Sequence, residues 1–152
     1  MPEDRPKAPN AVHSGILGDL LGYHLRRAQA AVFADFMRTM AEDRITPGQF
    51  GVLVLIDRNP GLNQSALARV LGIERSTMVA VIDGLEDRKL VARRGSVSDR
   101  RAKVLSLTKQ GRSLLASVKP KVRRHEKRIA ADLHPDEIAA LIGLLKRIGP
   151  TS

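Results

Sequence analysis

The sequence predicts a mainly α protein of about six helices with one small β-hairpin. Apolar residues recur at three- and four-residue spacing through most of the chain, the period of a helix with one buried face. Short alternating runs flank only one loop, Gly95 to Arg100. Helix-start signals stand at Thr46, Asn63, Thr108 and His134. The 152 residues suit one domain, or one domain with oligomerisation arms.

The opening "MPEDRPKAPN" is polar and Pro-rich and lacks the apolar stretch of a signal peptide, so residues 1–13 read as a flexible arm. One long helix is expected from Ser14 to Met40, carrying Leu17, Leu21, Leu25, Ala28, Val32 and Phe36. Gly15, Gly18 and Gly22 weaken its first turns. It is longer than a small domain needs to cover its own core, which implies that part of its apolar face serves a partner subunit.

Thr46-Pro47-Gly48-Gln49 is a capping box with Pro at the first helical position; the helix it starts carries Phe50, Leu53, Val54 and Ile56 and ends at "RNPG". Asn63 caps a short helix, Gln64 to Leu71, with Leu67, Val70 and Leu71 as its expected buried side, and Gly72 supplies the left-handed residue that stops it. A second helix follows to Arg88, burying Met78, Val81, Ile82 and Leu85. Two short helices joined by a tight Gly-containing turn form a helix-turn-helix. Leu90–Arg94 and Arg101–Leu107 read as strands, and Thr108 caps a long helix to about Ala130 that Pro120 should bend or interrupt. The last helix opens at His134-Pro135-Asp136-Glu137 and presents Ile138, Leu141, Ile142, Leu145 and Ile148.

Lys and Arg outnumber Asp and Glu by 26 to 16, a formal net charge of +10. A globular chain this basic calls for an acidic partner, nucleic acid before anionic membrane. No helix sets Lys and Arg opposite a bulky aromatic face, which disfavours a membrane surface. Cysteine is absent, excluding disulfides and Cys-based zinc sites, and the four histidines (His13, His24, His125, His134) are scattered, so no metal is expected. There is no Gly-rich phosphate loop, no Ser-His-Asp spacing and no carboxylate pair on an apolar wall; no catalytic residue is assigned. The run Lys119–Arg128, "KPKVRRHEKR", reads as a solvated face.

A helix-turn-helix followed at once by a charged hairpin is a winged helix. The stretch "LARVLGIERSTMVAVIDGLEDRKLVARRGSVSDRRAKVLSLTKQG" resembles the MarR family of bacterial transcription regulators, through Asp99-Arg100-Arg101 above all, with Leu107-Thr108 and Gly111 behind it. The resemblance extends over about Leu17 to Ile148. It implies a winged helix-turn-helix unit over 46–108, a helical dimerisation region from 14–45 and 109–149, and a cytoplasmic homodimer on a pseudo-palindromic double-stranded operator. In the family's Asp-x-Arg pattern the Arg enters the minor groove and the Asp steadies it; here these are Arg101 and Asp99. Arg93 and Arg94 are expected to pair with Asp99 or meet phosphate, with Arg100 and Lys103 adding charge. Arg75, Ser76 and Thr77 would face the major groove and Ser65 a phosphate. Relatives often carry Arg at positions 80 and 84; Ala80 and Gly84 stand here, which leaves fewer polar readers, with Ala80 able to touch a thymine methyl.

Members of the family respond to a small molecule held between the DNA-binding unit and the dimer helices. "LGYHLRRAQ", Leu21 to Gln29, is similar to the first helix of members that control aromatic-acid catabolism. That likeness implies an aromatic acid or aryl-CoA thioester as effector. Tyr23, His24, Arg26 and Arg27 would supply an aromatic contact and cations, with Phe50 and Leu53 as apolar wall. The expected function is a repressor released by that effector; the alternative is an architectural DNA binder with no sequence preference and no ligand.

Overall fold

The first helix starts later than its apolar period suggests. In this computed structural model, which describes residues 12–95 and 103–149, a 3-10 turn spans Gly15–Asp19 and Leu20 is extended. The first α-helix, α1, covers Leu21–Thr39 rather than starting at Ser14. Gly15 sits at φ +54°, outside the right-handed helical region, so the helical period of the apolar residues outruns the helix itself.

The next three helices are α2 (Pro47–Arg58), α3 (Gln64–Leu71) and α4 (Arg75–Asp87). The Gln49 amide donates to Thr46 Oγ1 and the Thr46 amide to Gln49 Oε1, both at 3.1 Å, closing the capping box. Asn63 Oδ1 accepts from the Ala66 amide at 2.8 Å. Gly72, at φ +63°, lets the Ile73 amide reach back to the Ala68 carbonyl at 2.9 Å and sets the turn between α3 and α4. On α3 the buried side is Leu67 and Ala68, with Leu71 half-buried; Val70, expected there, is 63% exposed. At roughly 100° per residue Val70 points about 60° outside the arc those residues share.

Strands β1 (Val91–Gly95) and β2 (Lys103–Leu107) pair antiparallel, Val91 opposite Leu107 and Arg93 opposite Leu105. The Leu105 amide also donates to the Leu62 carbonyl at 2.8 Å, which fixes the hairpin against the turn before α3. Leu105 and Leu107 are buried while Lys103 is exposed. The hairpin tip with Asp99, Arg100 and Arg101 lies outside the described residues, as does most of the arm over 1–13.

Helix α5 runs Lys109–Ile129 and passes through Pro120 without interruption. Proline removes one ladder donor; here Leu115, Val118 and Val122 hold the helix to the core on either side. The core is one cluster, mostly aliphatic, of Met40, Ile45, Leu53, Ile56, Leu67, Met78, Ile82, Leu85, Leu105 and Leu115 with Phe36 at one end. Helix α6 (Pro135–Leu145) has no buried residue. Its Leu141, Ile142, Leu144 and Leu145 are exposed, as are Ile16, Leu20 and Leu21 at the other end of the chain. Leu21 and Leu25 meet Leu141, Leu144, Leu145 and Ile148 in one apolar groove. An apolar surface of this kind marks an interaction face.

The start of α5 is held close to the α4–β1 joint. Thr108 Oγ1 accepts from the Gly111 amide at 2.9 Å and donates to the Lys89 carbonyl at 2.6 Å, while the Thr108 amide donates to the Leu90 carbonyl at 3.1 Å. A methyl group on Gly111 would overlap the Leu90 carbonyl, which is backbone and cannot swing aside. Gly111→Ala is therefore expected to destabilise the fold by about 2 kcal/mol or more, read by urea or thermal unfolding. Gly84→Ala, with open space around its Cβ, should instead be neutral or stabilising by up to about 1 kcal/mol.

Candidate nucleic-acid interface

Helices α3 and α4 and the hairpin pack against one another and carry exposed polar residues. Ser65 stands exposed in the first turn of α3, and Arg75, Ser76 and Thr77 are exposed in the first turn of α4. The cap of α4 is Glu74, whose side chain makes no capping bond. The first amides of α4 are thus not capped by a side chain, and a helix start of this kind suits phosphate. Farther along the outer face of α4 come Val79, Ala80 and Asp83, all exposed. On the hairpin, Arg94 and Lys103 are exposed cations on adjacent strands.

Arg93 behaves differently from what its position in the sequence suggests. Its guanidinium donates to Asp83 Oδ1 at 2.6 Å, to Glu86 and to Gln64 Oε1 at 3.2 Å. The side chain is 23% exposed and joins β1 to α4 and to the first residue of α3. Alternation explains this: Arg93 shares a strand face with buried Val91, whereas Arg94 faces out. Arg93 is therefore an internal ion-pair partner, not an open phosphate ligand. The hydrogen bond it donates to Asp83 raises its already high pKa, so it stays charged at every working pH.

The expected effector residues fall into two separated groups. On α1, Arg27 donates to the Tyr23 hydroxyl at 3.4 Å and lies 5.6 Å from its ring centroid, and His24 Nε2 donates to the Gly18 carbonyl at 2.7 Å. Arg26 is exposed beside them. Phe50 packs against Phe36 with ring centroids 6.2 Å apart. From Tyr23 to Phe36 is roughly 20 Å of helix, so the two groups do not meet along α1. Leu53 is fully buried in the core and lines no open surface, contrary to its expected role as pocket wall.

A polar joint between α1 and α5 is hardly legible in the sequence. His125, in the run read as a solvated face, is 1% exposed. Its Nδ1 lies 2.7 Å from Asp35 Oδ2, and because an ionised carboxylate only accepts, the ring nitrogen carries the proton. Arg128 donates to the same carboxylate at 2.9 Å and to Thr39 Oγ1 at 2.5 Å, and Arg38 donates to Asp35 Oδ1 at 2.9 Å. The His125 ring meets Phe36 edge-on at 5.3 Å. Lys121 reaches Asp43 at 2.6 Å. The run is thus split: one side of it ties α5 to α1 and the following loop. The only signal that pointed to this was the helical spacing of Val118, Val122 and His125.

Among the described residues no cluster of His, Cys, Asp or Glu is arranged to hold a metal, and no helix is long and apolar enough to cross a membrane.

The fold matches known proteins. The MarR family profile matches residues 45–102. A candidate transcriptional regulatory protein for the hcr operon of Thauera aromatica is 43% identical over 90% of this chain and 82% of its own length. The chain belongs to the MarR family. As a MarR-family member it is a DNA-binding transcriptional regulator with a winged-helix fold. The transcriptional repressor CouR, solved bound to a 23-mer DNA duplex, is 46% identical over 91% of this chain and 99% of its own, with TM-score 0.86. CouR bound to p-coumaroyl-CoA is 43% identical over 93% of this chain and 100% of its own, with TM-score 0.85.

Asp35 generates a pH prediction for this MarR-family chain. The hydrogen bond from Arg128, then those from His125 and Arg38, hold its carboxyl well below the usual carboxylate range. A depressed carboxyl contributes stability above its unfolded pKa, near 4, and loses it as pH falls toward the folded value. Asp35→Asn is expected to lower the melting midpoint by several degrees at pH 7. The gap to wild type should narrow below about pH 4. Equal gaps at pH 7 and pH 3 would remove the ionised carboxylate from the explanation.

Proposed function

We propose that the protein is a homodimeric repressor that binds a pseudo-palindromic operator and is released by an aromatic acid or its CoA thioester. The observation that carries the DNA reading is the exposed face of Ser65, Arg75, Ser76, Thr77, Arg94 and Lys103, assembled from α3, α4 and the hairpin. The apolar groove of α1 and α6 supports a second copy as its cover. Two copies would present two α4 helices to successive turns of the major groove. By the family's Asp-x-Arg pattern, Arg101 is the minor-groove side chain, Asp99 its support, and Arg100 adds charge beside them.

The effector reading rests on the α1 cations. CouR binds an aryl-CoA thioester, and Arg26 and Arg27 beside Tyr23 are suited to the phosphates of such a ligand. Phe50 offers an aromatic contact near the α1–α5 joint. The effector acts by binding better to a dimer whose α4 helices are wrongly spaced for DNA. Reciprocity then requires DNA to weaken effector binding by the same factor.

The test is fluorescence anisotropy with the DNA upstream of the protein's own gene, beside a scrambled duplex of equal length and composition, at near-physiological salt. Binding to the native duplex should be tighter by about a thousandfold or more, and aryl-CoA thioesters or free aromatic acids should release it. Equal weak binding to both duplexes, unmoved by either ligand class, supports the architectural alternative. Arg101→Ala is expected to weaken native-duplex binding by about 1–3 kcal/mol in the same assay, with the scrambled duplex much less affected.

A further inference from the structure

We infer that Arg93 is the built-in counter-ion of α4, neutralising Asp83 and Glu86 so that a helix face bearing carboxylates can approach DNA phosphates. The inference rests on the DNA-binding reading above and adds a positioning residue that touches no base.

Asp83 shares the outer face of α4 with Ser76 and Ala80, at helical spacings of seven and three residues, and its side chain is 54% exposed. Glu86 lies one turn farther on and is 40% exposed. An uncompensated carboxylate on this face would meet phosphates of like charge, and juxtaposed like charges oppose association. Neither acid has another cationic partner among the described residues. Arg93 reaches both from the adjacent strand, and its remaining contact is Gln64, next to Ser65. The planar guanidinium carries five donors in a fixed fork, which allows one side chain to hold three acceptors from two helices. Arg93 thus brings local charge near α4 from net negative toward neutral, while its own donors point into the protein and not at the duplex.

This role makes a prediction that a phosphate ligand or a purely mechanical strut does not. The experiment compares native-duplex affinity of wild type, Arg93→Lys, Arg93→Gln, Arg93→Gln with Asp83→Asn, and Arg93→Gln with Asp132→Asn, at one near-physiological salt concentration. The two double variants have the wild-type net charge. Only the first removes the charge opposite Arg93; Asp132 is exposed in the turn between α5 and α6. Thermal unfolding of each variant establishes that it is folded.

Arg93→Gln is expected to bind about tenfold more weakly. Arg93→Lys, which keeps the charge and gives up the fork, should lose less. Adding Asp83→Asn should restore most of the affinity, and adding Asp132→Asn should restore little. An Arg93→Gln variant that binds like wild type overturns the inference. So does an Arg93→Gln, Asp83→Asn variant as weak as Arg93→Gln alone, since a lost phosphate contact or a displaced hairpin would both persist there. Equal rescue by Asp132→Asn also overturns it, in favour of overall charge. The scrambled duplex separates this result from the operator reading: wild type that binds both duplexes alike defeats the operator reading, while the variant series still decides the role of Arg93 on either duplex.

Discussion

The Leu90 carbonyl is the point on which the arrangement turns. It ends the joint between α4 and β1, accepts from the Thr108 amide, and lies against Gly111 so closely that no side chain fits there. That contact returns the chain after β2 directly onto the DNA-facing unit. The direction of α5 is set there. Because α5 continues unbroken to Ile129, the same direction places His125 and Arg128 beside Asp35 of α1. A shift of the first turn of α5 would therefore move the hairpin base and the α1 joint together. The packing between them, Leu115 and Val118 in the core, leaves little slack to absorb it.

Much of this fold was legible in the sequence because local rules and global packing agree at the helix starts. Thr46, Asn63 and Thr108 each cap the helix expected, and Gly72 takes the left-handed conformation that its place between two helices demands. Errors arose where periodicity was asked to do more than it can. The apolar period before Leu21 is helical, but Leu20 is extended and separates a 3-10 turn from the helix that would use it. Val70 fits an apolar pattern on α3 yet points outward, because the pattern has no knowledge of which side α4 occupies. Pro120 reads as bending or interrupting its helix, and tertiary packing carries the helix through without interruption.

The candidate site was harder to read for a related reason: composition counts charges but does not pair them. Arg93 and Arg94 are adjacent and identical in the sequence, yet alternation along β1 sends one inward to Asp83 and Glu86 and the other to solvent. His125 sits among six Lys and Arg residues from Lys119 to Arg128 in what reads as a solvated stretch, and it is buried. Leu53, placed on a pocket wall by its neighbour Phe50, belongs to the core. In each case the missing information was the identity of the element packed against the residue.

The net charge of +10 consequently does two different jobs. Arg93, Lys121 and Arg128 hold elements together through specific carboxylates, Asp83, Asp43 and Asp35. Their charges are largely cancelled at short range and add little to the field beyond a Debye length, roughly 8 Å at physiological salt. Arg75, Arg94 and Lys103 have no ion-pair partner among the described residues, and they are exposed on the neighbouring elements that carry the exposed hydroxyls of Ser65, Ser76 and Thr77. Net charge alone therefore does not fix the field near α4: it depends on which cations are paired with carboxylates there. A chain with the same composition and a different pairing of Arg93 would keep its net charge and leave Asp83 and Glu86 uncompensated beside α4.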